Sequence, residues 1–455
     1  MKKYKNAICF ITIIVILICI FPNTSADTAE YFDIKAKAAV LMDMDSGAIM
    51  YEKNSQDMMY PASLTKIMTA MLAIKHGDLS DMVTASYTAV TQEMSIYGST
   101  QGILEGEVFS VEDLLYAVMV SSANEACNVL AEYVAGSIEA FVDMMNEEAQ
   151  RLGCTMTHFS NPHGLHDETH YTCAEDMAKI TLEAMSLPDF ARICNTTSVT
   201  IPATNMSEER DLFTTNYLIS NEMVGGYYYP KACGVKTGFT TPAGYCLVST
   251  ADNGIMHILG VVMGADTELD FDGSEKIQSF VQMEDLFEWG FSNFSIQTII
   301  SSTLPVAQAD VKYGADTSFV LVYPAQEMEM LLPNGYDLDN FTKQIFIYNE
   351  GSIAAPINRG DVLGRMDVYL GNRYCGSTDL LALTNVKRSG LDAAAAGVKS
   401  AFTNRYIKIV LAVVVLAAAA YAAYMVLYNK ARRKALKNGT YKGDHRSRIR
   451  HNRTK

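Results

Sequence analysis

Three short clusters in this chain combine residue types that could carry out an acyl transfer. The first, Ser63-Leu64-Thr65-Lys66, sets a hydroxyl and an amine three positions apart, which on a helix brings them to one face within mutual reach. A serine becomes a nucleophile only beside a base, and a lysine can be that base only if desolvation or a second cation lowers its pKa towards neutrality. Alone, such a common pair reads first as a solvated surface contact. The second, Ser122-Ala123-Asn124, is a polar break in an apolar helical region. There a hydroxyl and an amide can line a cleft, or simply cap a helix terminus. The third, Lys236-Thr237-Gly238, strings together a cation, a hydroxyl and a residue without Cβ on a strand. Glycine there lets an extended substrate backbone approach, while a lysine on an edge strand also serves to discourage aggregation.

The elements that must hold these clusters are legible in the pattern of apolar residues. Ala38 to Met44 and Ala48 to Glu52 are strand-like runs around the turn Asp45-Ser46-Gly47, a predicted β-hairpin. From Pro61, a proline suited to a first helical turn, good helix formers run to Gly77, a stop signal. Val111 to Val134 and Ser137 to Leu152 also read as helical, the former interrupted at Ser121 to Asn124. Strand character returns at Ala232 to Gly238, Tyr245 to Ala251 and His257 to Gly264, with Lys236 expected near a sheet edge. Strands at both ends with helices between them predict one mostly antiparallel sheet completed from both termini around a helical insertion, an α+β fold.

Other reactive side chains carry less. His163, His166 and His170 share a loop with Asp167, and read as ligands they would make the chain a zinc-dependent amidase. Their spacing fits no helical His-x-x-x-His site, and the expectation is no metal. The seven cysteines after residue 26 fit neither a zinc ribbon nor a small disulfide scaffold, and are expected to be mostly buried small hydrophobes. Cys127 and Cys233 stand three residues from Asn124 and Lys236, so both are expected close to the cleft as packed thiols.

The whole chain places this chemistry outside a cell. Lys2, Lys3 and Lys5 precede an apolar run from Ala7 to Phe21 that ends in Thr24-Ser25-Ala26, so residues 1–26 read as a secretory signal peptide. Ile407 to Leu427 is long and apolar enough to span a bilayer, and we assign residues 406–428 to a transmembrane helix. The tail, 429–455, holds eleven Lys/Arg from Lys430 onward against one Asp, which the positive-inside rule puts in the cytoplasm. The chain is acidic overall, with a net charge of -15, so its middle is more acidic still and offers no surface for nucleic acid. Residues 295–383 alternate apolar strands with Gly/Asn/Asp turns, a small all-β domain, and 384–405 read as a stalk.

Together, in this order and on helix, helix and strand, the three clusters resemble the active-site signature of penicillin-binding proteins and serine β-lactamases. The text is most similar to the low-molecular-mass D-alanyl-D-alanine carboxypeptidases through Pro61 to Thr69, Asn161-Pro162-His163-Gly164-Leu165, Gly234 to Thr240 and Ala243-Gly244-Tyr245. The resemblance covers about residues 27–293, the expected peptidase domain. It implies a serine peptidase without cofactor that removes the terminal D-alanine from peptidoglycan stem peptides and is trapped covalently by β-lactams. In that reading Lys66 deprotonates Ser63, Asn124 orients Lys66 and the substrate, and Ser122 relays a proton to the leaving amine. Lys236 tunes Ser122, and the N–H groups of Ser63 and Phe239 receive the developing oxyanion.

The sequence departs from the resemblance at one place. Related enzymes use an arginine beyond the Lys-Thr-Gly strand to hold the substrate carboxylate, and no arginine occurs here between Arg210 and Arg359. Lys236, Thr237 and Thr240 are therefore expected to hold it, with Gly238 admitting the backbone and a lysine such as Lys276 assisting. The rival readings are a serine β-lactamase, for which no Glu-x-x-Leu-Asn text follows Ser122, and a catalytically silent wall-binding or sporulation scaffold.

Overall fold

The structure, a computed structural model, describes residues 32–92, 98–222, 226–270, 273–349, 352–390, 394–395, 398 and 405–438. The expected signal peptide and the tail beyond residue 438 lie outside the described residues. The chain divides into two compact units, one comprising the residues up to Thr298 together with Glu329–Asp337, the other Ile299–Met328 with Leu338 onward.

The first unit is built on the predicted hairpin, β1 (Ala38–Asp43) and β2 (Ile49–Lys53). Then come α1 (Lys66–His76), β3 (Met82–Thr84), α2 (Tyr87–Thr91), β4 (Val108–Ser110), α3 (Val111–Met119), α4 (Asn124–Ala135), α5 (Ile138–Arg151), α6 (Ala174–Met185) and α7 (Pro188–Cys194). A small hairpin follows, β5 (Ser198–Ile201) and β6 (Arg210–Phe213), and then three long strands, β7 (Ala232–Thr240), β8 (Gly244–Asp252) and β9 (His257–Ala265). After the short β10 (Thr267–Leu269) and β11 (Glu275–Ile277), helix α8 (Gln278–Asn293) closes the unit.

The sheet runs β2-β1-β9-β8-β7, antiparallel throughout, so the first strand of the domain lies beside the last long one. All six residues of β1 are buried, and their alternation serves two cores. Ala38, Val40 and Met42 face a cluster with α1 and α6, while Ala39 and Leu41 face one with Phe280, Met283, Leu286 and Phe287 of α8. That is the period-2 geometry of a strand covered on both faces. β7, which carries Lys236, Thr237 and Gly238, is the sheet's outer strand.

The apolar stretch from Val111 to Val134 forms two helices rather than one. Ser110 Oγ accepts the Asp113 N–H at 3.0 Å to begin α3, with Glu112 and Asp113 in its first turn. The helix ends at Met119 with Val120 as its C-cap, and Ser122 adopts a left-handed φ of 64° before α4 begins at Asn124. The polar interruption is thus a left-handed turn between two helices, and its Ser122 and Asn124 line a cavity.

The second unit contains a six-stranded sheet in the spatial order Phe341–Ile347, Val362–Leu370, Arg373–Ala382, Phe319–Pro324, Ala307–Lys312, Ser352–Ala354. Pairing continues through Val386, bridged to Ile357, and Arg388, bridged to Gly314. A helix spans Arg405–Lys437, of which Arg405–Ala435 is long and apolar enough to cross a membrane.

Candidate active site

Ser63 sits in the 3-10 turn Ala62–Thr65 that leads into α1, and Lys66 is the first residue of that helix. The turn is held from behind by the Asn161-Pro162-His163-Gly164 loop. Gly164 has a φ of 86°, and a Cβ there would lie 1.9 Å from the Ala62 carbonyl oxygen, so only glycine fits. Lys66 is fully buried, yet its Nζ has three acceptors: Ser63 Oγ at 2.9 Å, Asn124 Oδ1 at 2.7 Å and the His163 carbonyl at 2.7 Å. Burial lowers its pKa to about 8, with Cys127 and Glu125 opposing the shift. Lys236, 1% exposed, is lowered to about 7 by burial and then by the Lys66 charge. Burial, which lowers both amines, gives a Lys66 that can lose its proton near neutral pH.

The outer strand β7 runs directly past this turn. A Cβ on Gly238 would lie 3.0 Å from Pro61 O, 3.1 Å from Ser63 N and 3.2 Å from Leu64 N. Thr237 Oγ1 shares a hydrogen bond of 2.6 Å with Thr215 Oγ1. Thr240 Oγ1 accepts the Ala243 N–H at 3.2 Å, which leaves its own O–H to donate. Phe239 is more than half exposed and packs on Tyr245, with ring centroids 4.5 Å apart.

Ser63, Ser122, Asn124, Thr237, Gly238, Phe239 and Thr240 all line one cavity of about 540 Å³. Lys66 and Lys236 lie beneath its lining. Thr215, Tyr217 and Ser279 also line it, and none of them was singled out from the sequence. Thr215 follows β6 with no spacing signature. Ser279 is the second residue of α8, an element the apolar pattern did not single out. Among the described residues the cavity lining includes no arginine or lysine side chain; Lys276 instead stands 5.2 Å over the Tyr227 ring.

The histidine loop turns its imidazoles to different partners. His166 packs edge-on against Tyr60, and His163 Nδ1 accepts the Leu165 N–H at 3.2 Å. His170 Nδ1 accepts the Ser160 N–H at 3.0 Å, so Nε2 carries the proton and donates to Thr65 Oγ1 at 2.7 Å. Among the described residues no three His, Cys, Asp or Glu groups come together as a metal site would require. Cys127 is buried near the two lysines, its thiol pushed up to about 12 by burial. Cys154, Cys173, Cys194 and Cys246 are also buried thiols, and Cys233 is partly exposed.

Residues 23–267 match the D-alanyl-D-alanine carboxypeptidase family, and residues 294–388 match the C-terminal domain of penicillin-binding protein 5. The D-alanyl-D-alanine carboxypeptidase DacF of Bacillus subtilis is 30% identical over 357 residues, covering 78% of this chain and 87% of the relative. DacC of Escherichia coli, also a D-alanyl-D-alanine carboxypeptidase, is 33% identical over 373 residues, covering 80% of this chain and 87% of its own. The crystal structure of penicillin-binding protein 5 from Haemophilus influenzae superposes with a TM-score of 0.56 at 29% identity, over 79% of this chain and 99% of that one. A serine hydroxyl 2.9 Å from a buried lysine amine, beside an outer strand, coincides with family membership: the chain belongs to the D-alanyl-D-alanine carboxypeptidases, the serine-type, low-molecular-mass penicillin-binding peptidases of cell-wall metabolism.

Proposed function

We propose that the chain removes the terminal D-alanine of peptidoglycan stem peptides through an acyl-enzyme on Ser63. Carboxypeptidases of this family act on such peptides and bind β-lactams. The observation that carries the assignment to Ser63 is the Lys66 amine, buried, lowered to about 8 and 2.9 Å from Ser63 Oγ. Neutral Lys66 takes the hydroxyl proton as Ser63 Oγ attacks the penultimate D-alanine carbonyl. The oxyanion forms between the N–H groups of Ser63 and Phe239, where one such donor is typically worth about 10² to 10³ in rate. The approach of Gly238 to the Ser63 nitrogen supports that placement. Ser122 passes a proton to the leaving amine, Lys236 tunes Ser122, and Asn124 holds Lys66 through its 2.7 Å bond. D-Alanine departs, and water then hydrolyses the ester.

Hydroxyls of Thr237 and Thr240, with Lys236 behind them, hold the substrate carboxylate. The β-lactamase and silent-scaffold readings are not favoured. In this reading the peptidase and β domains are extracytoplasmic, the apolar part of the Arg405–Ala435 helix crosses the membrane and the basic tail is cytoplasmic. Support comes from Lys430, Arg432, Arg433, Lys434 and Lys437, which follow the apolar Ile407 to Leu427 stretch of that helix.

The test uses the detergent-solubilised full chain. It should release D-alanine from a D-Ala-D-Ala peptide and carry a penicilloyl ester on Ser63 by peptide mass spectrometry, with Ser63→Ala losing both. Trapping without D-alanine release, or an ester on another residue, would overturn the reading.

A further inference from the structure

One wall of the cleft is a stretch without regular secondary structure, residues 98–103, which contributes Gly98 and Ser99 to the lining. Backbone N–H groups in such a segment need acceptors. Here a single side-chain oxygen collects several. Glu125 Oε1 accepts from the Gln101 N–H at 2.6 Å, the Thr100 hydroxyl at 2.7 Å and the Ile103 N–H at 3.4 Å. Glu125 is 2% exposed and directly follows Asn124 in α4. The Asn124 N–H donates in turn to Ser99 O at 3.0 Å, while the Asn124 side chain holds Lys66. Two successive residues at the start of α4 therefore fasten the cleft wall and the Lys66 amine to the same helical turn. The far end of the wall is held separately by Glu107, which accepts the Leu104 N–H at 3.0 Å and pairs with Arg210 at 2.8 Å.

We propose that Glu125 is a positioning residue for acylation, holding the Gly98–Ser99 wall in register with the Ser63–Lys66 pair and supplying a fixed negative charge behind that pair. This rests on the assignment of Ser63 and Lys66 made above. A carboxylate suits the role better than an amide, because charge-assisted hydrogen bonds are about twice as strong as neutral ones and three donors converge on one oxygen. Its second oxygen, Oε2, is buried with no hydrogen-bond partner among the described residues, so the group is held by one oxygen and contributes charge through the whole carboxylate. The titratable groups around Lys66 are Glu125 and Cys127 from α4, Lys236 from β7, and His163 and His170 from the loop. Of these, Glu125 and Cys127 hold the Lys66 pKa up, and Cys127, with its thiol at about 12, stays neutral at working pH.

The experiment measures the second-order rate of acylation by a fluorescent penicillin from pH 5 to 10, on the solubilised full chain, beside thermal melting. In the parent, acylation should rise with pH through about 8 as Lys66 loses its proton. Glu125→Ala should lower the rate about 10- to 100-fold, the scale of an ångström-sized misplacement. Glu125→Gln keeps an acceptor oxygen and removes the charge, so it should lose less rate but move the rising limb to lower pH, a displacement that loosened packing alone would not produce. Rates within about twofold of the parent together with an unmoved limb in Glu125→Gln overturn the proposal. If Glu125→Ala does not fold, the limb of Glu125→Gln decides alone. A parent chain not acylated at Ser63 sinks the underlying assignment, whereas normal parent acylation with unaffected Glu125 variants sinks only this inference.

Discussion

Gly238 lies against the Ser63 backbone so closely that a Cβ added to it would stand 3.1 Å from the Ser63 nitrogen. The other atoms it would meet, Pro61 O and Leu64 N, are also backbone and cannot rotate aside. Gly238→Ala should therefore push β7 away from the nucleophile turn by a few tenths of an ångström rather than unfold the sheet. Penicillin acylation should fall about 10- to 100-fold with little change in melting temperature. An alanine variant acylated at the parental rate would show that the gap between strand and turn is not part of the oxyanion geometry.

Among the described residues no cationic side chain lines the cleft, so in the proposed reading hydroxyls meet the substrate carboxylate. Thr215→Val removes the partner that fixes the Thr237 hydroxyl at 2.6 Å, and Thr240→Val removes a donor. Each should raise KM for a D-Ala-D-Ala peptide about three- to tenfold, the worth of one net hydrogen bond, with a smaller change in kcat. The matching peptide with a C-terminal amide should show little response to either change. Equal effects on acid and amide would mean that these hydroxyls shape the cleft without reading the carboxylate.

Much of this arrangement is visible in one dimension. Alternating apolar residues and turn chemistry mark the hairpin and β7 to β9, and the short polar break at Ser121 to Asn124 marks where one helix becomes two. What one dimension hides is produced by closure of the chain. Thr215 gains meaning only when the segment after β6 meets Thr237 across the cleft. Ser279 reaches the lining because α8 folds back over the sheet face that Leu41 and Val262 present. His163 acts through its main-chain oxygen on Lys66, and a carbonyl has no residue type by which to find it. Glu125 reads as an ordinary acidic residue in a first helical turn until residues 100–103 are seen donating to it.

His170 makes the peptidase unit sensitive to acid. Burial drives its pKa from 6.5 down to about 3, and the Ser160 N–H already occupies Nδ1, where a second proton would have to go. His163 is shifted in the same direction by burial and by the Lys66 charge. Both imidazoles stay neutral in the folded state while the unfolded chain binds protons below pH 6.5, so stability falls as pH falls. The slope is about 1.4 kcal/mol per pH unit for each fully shifted group. The window for His170 runs from 6.5 to about 3. The carboxylate Glu148, held at about 2 by Arg151 and Lys75, adds to the loss only below its ordinary value of 4.5. Lys66 is charged throughout this range, and Lys236, at about 7, completes its protonation near the upper end, adding a small slope of the same sign only there. The single tryptophan, Trp289 in α8, reports on this unit. Its fluorescence melt should move to lower temperature steadily from pH 6.5 to 4.5, and His170→Gln should flatten that dependence. A melting temperature that is level down to pH 4.5 would mean that the folded chain takes up as many protons there as the unfolded one, the loop opening to charge its histidines without unfolding.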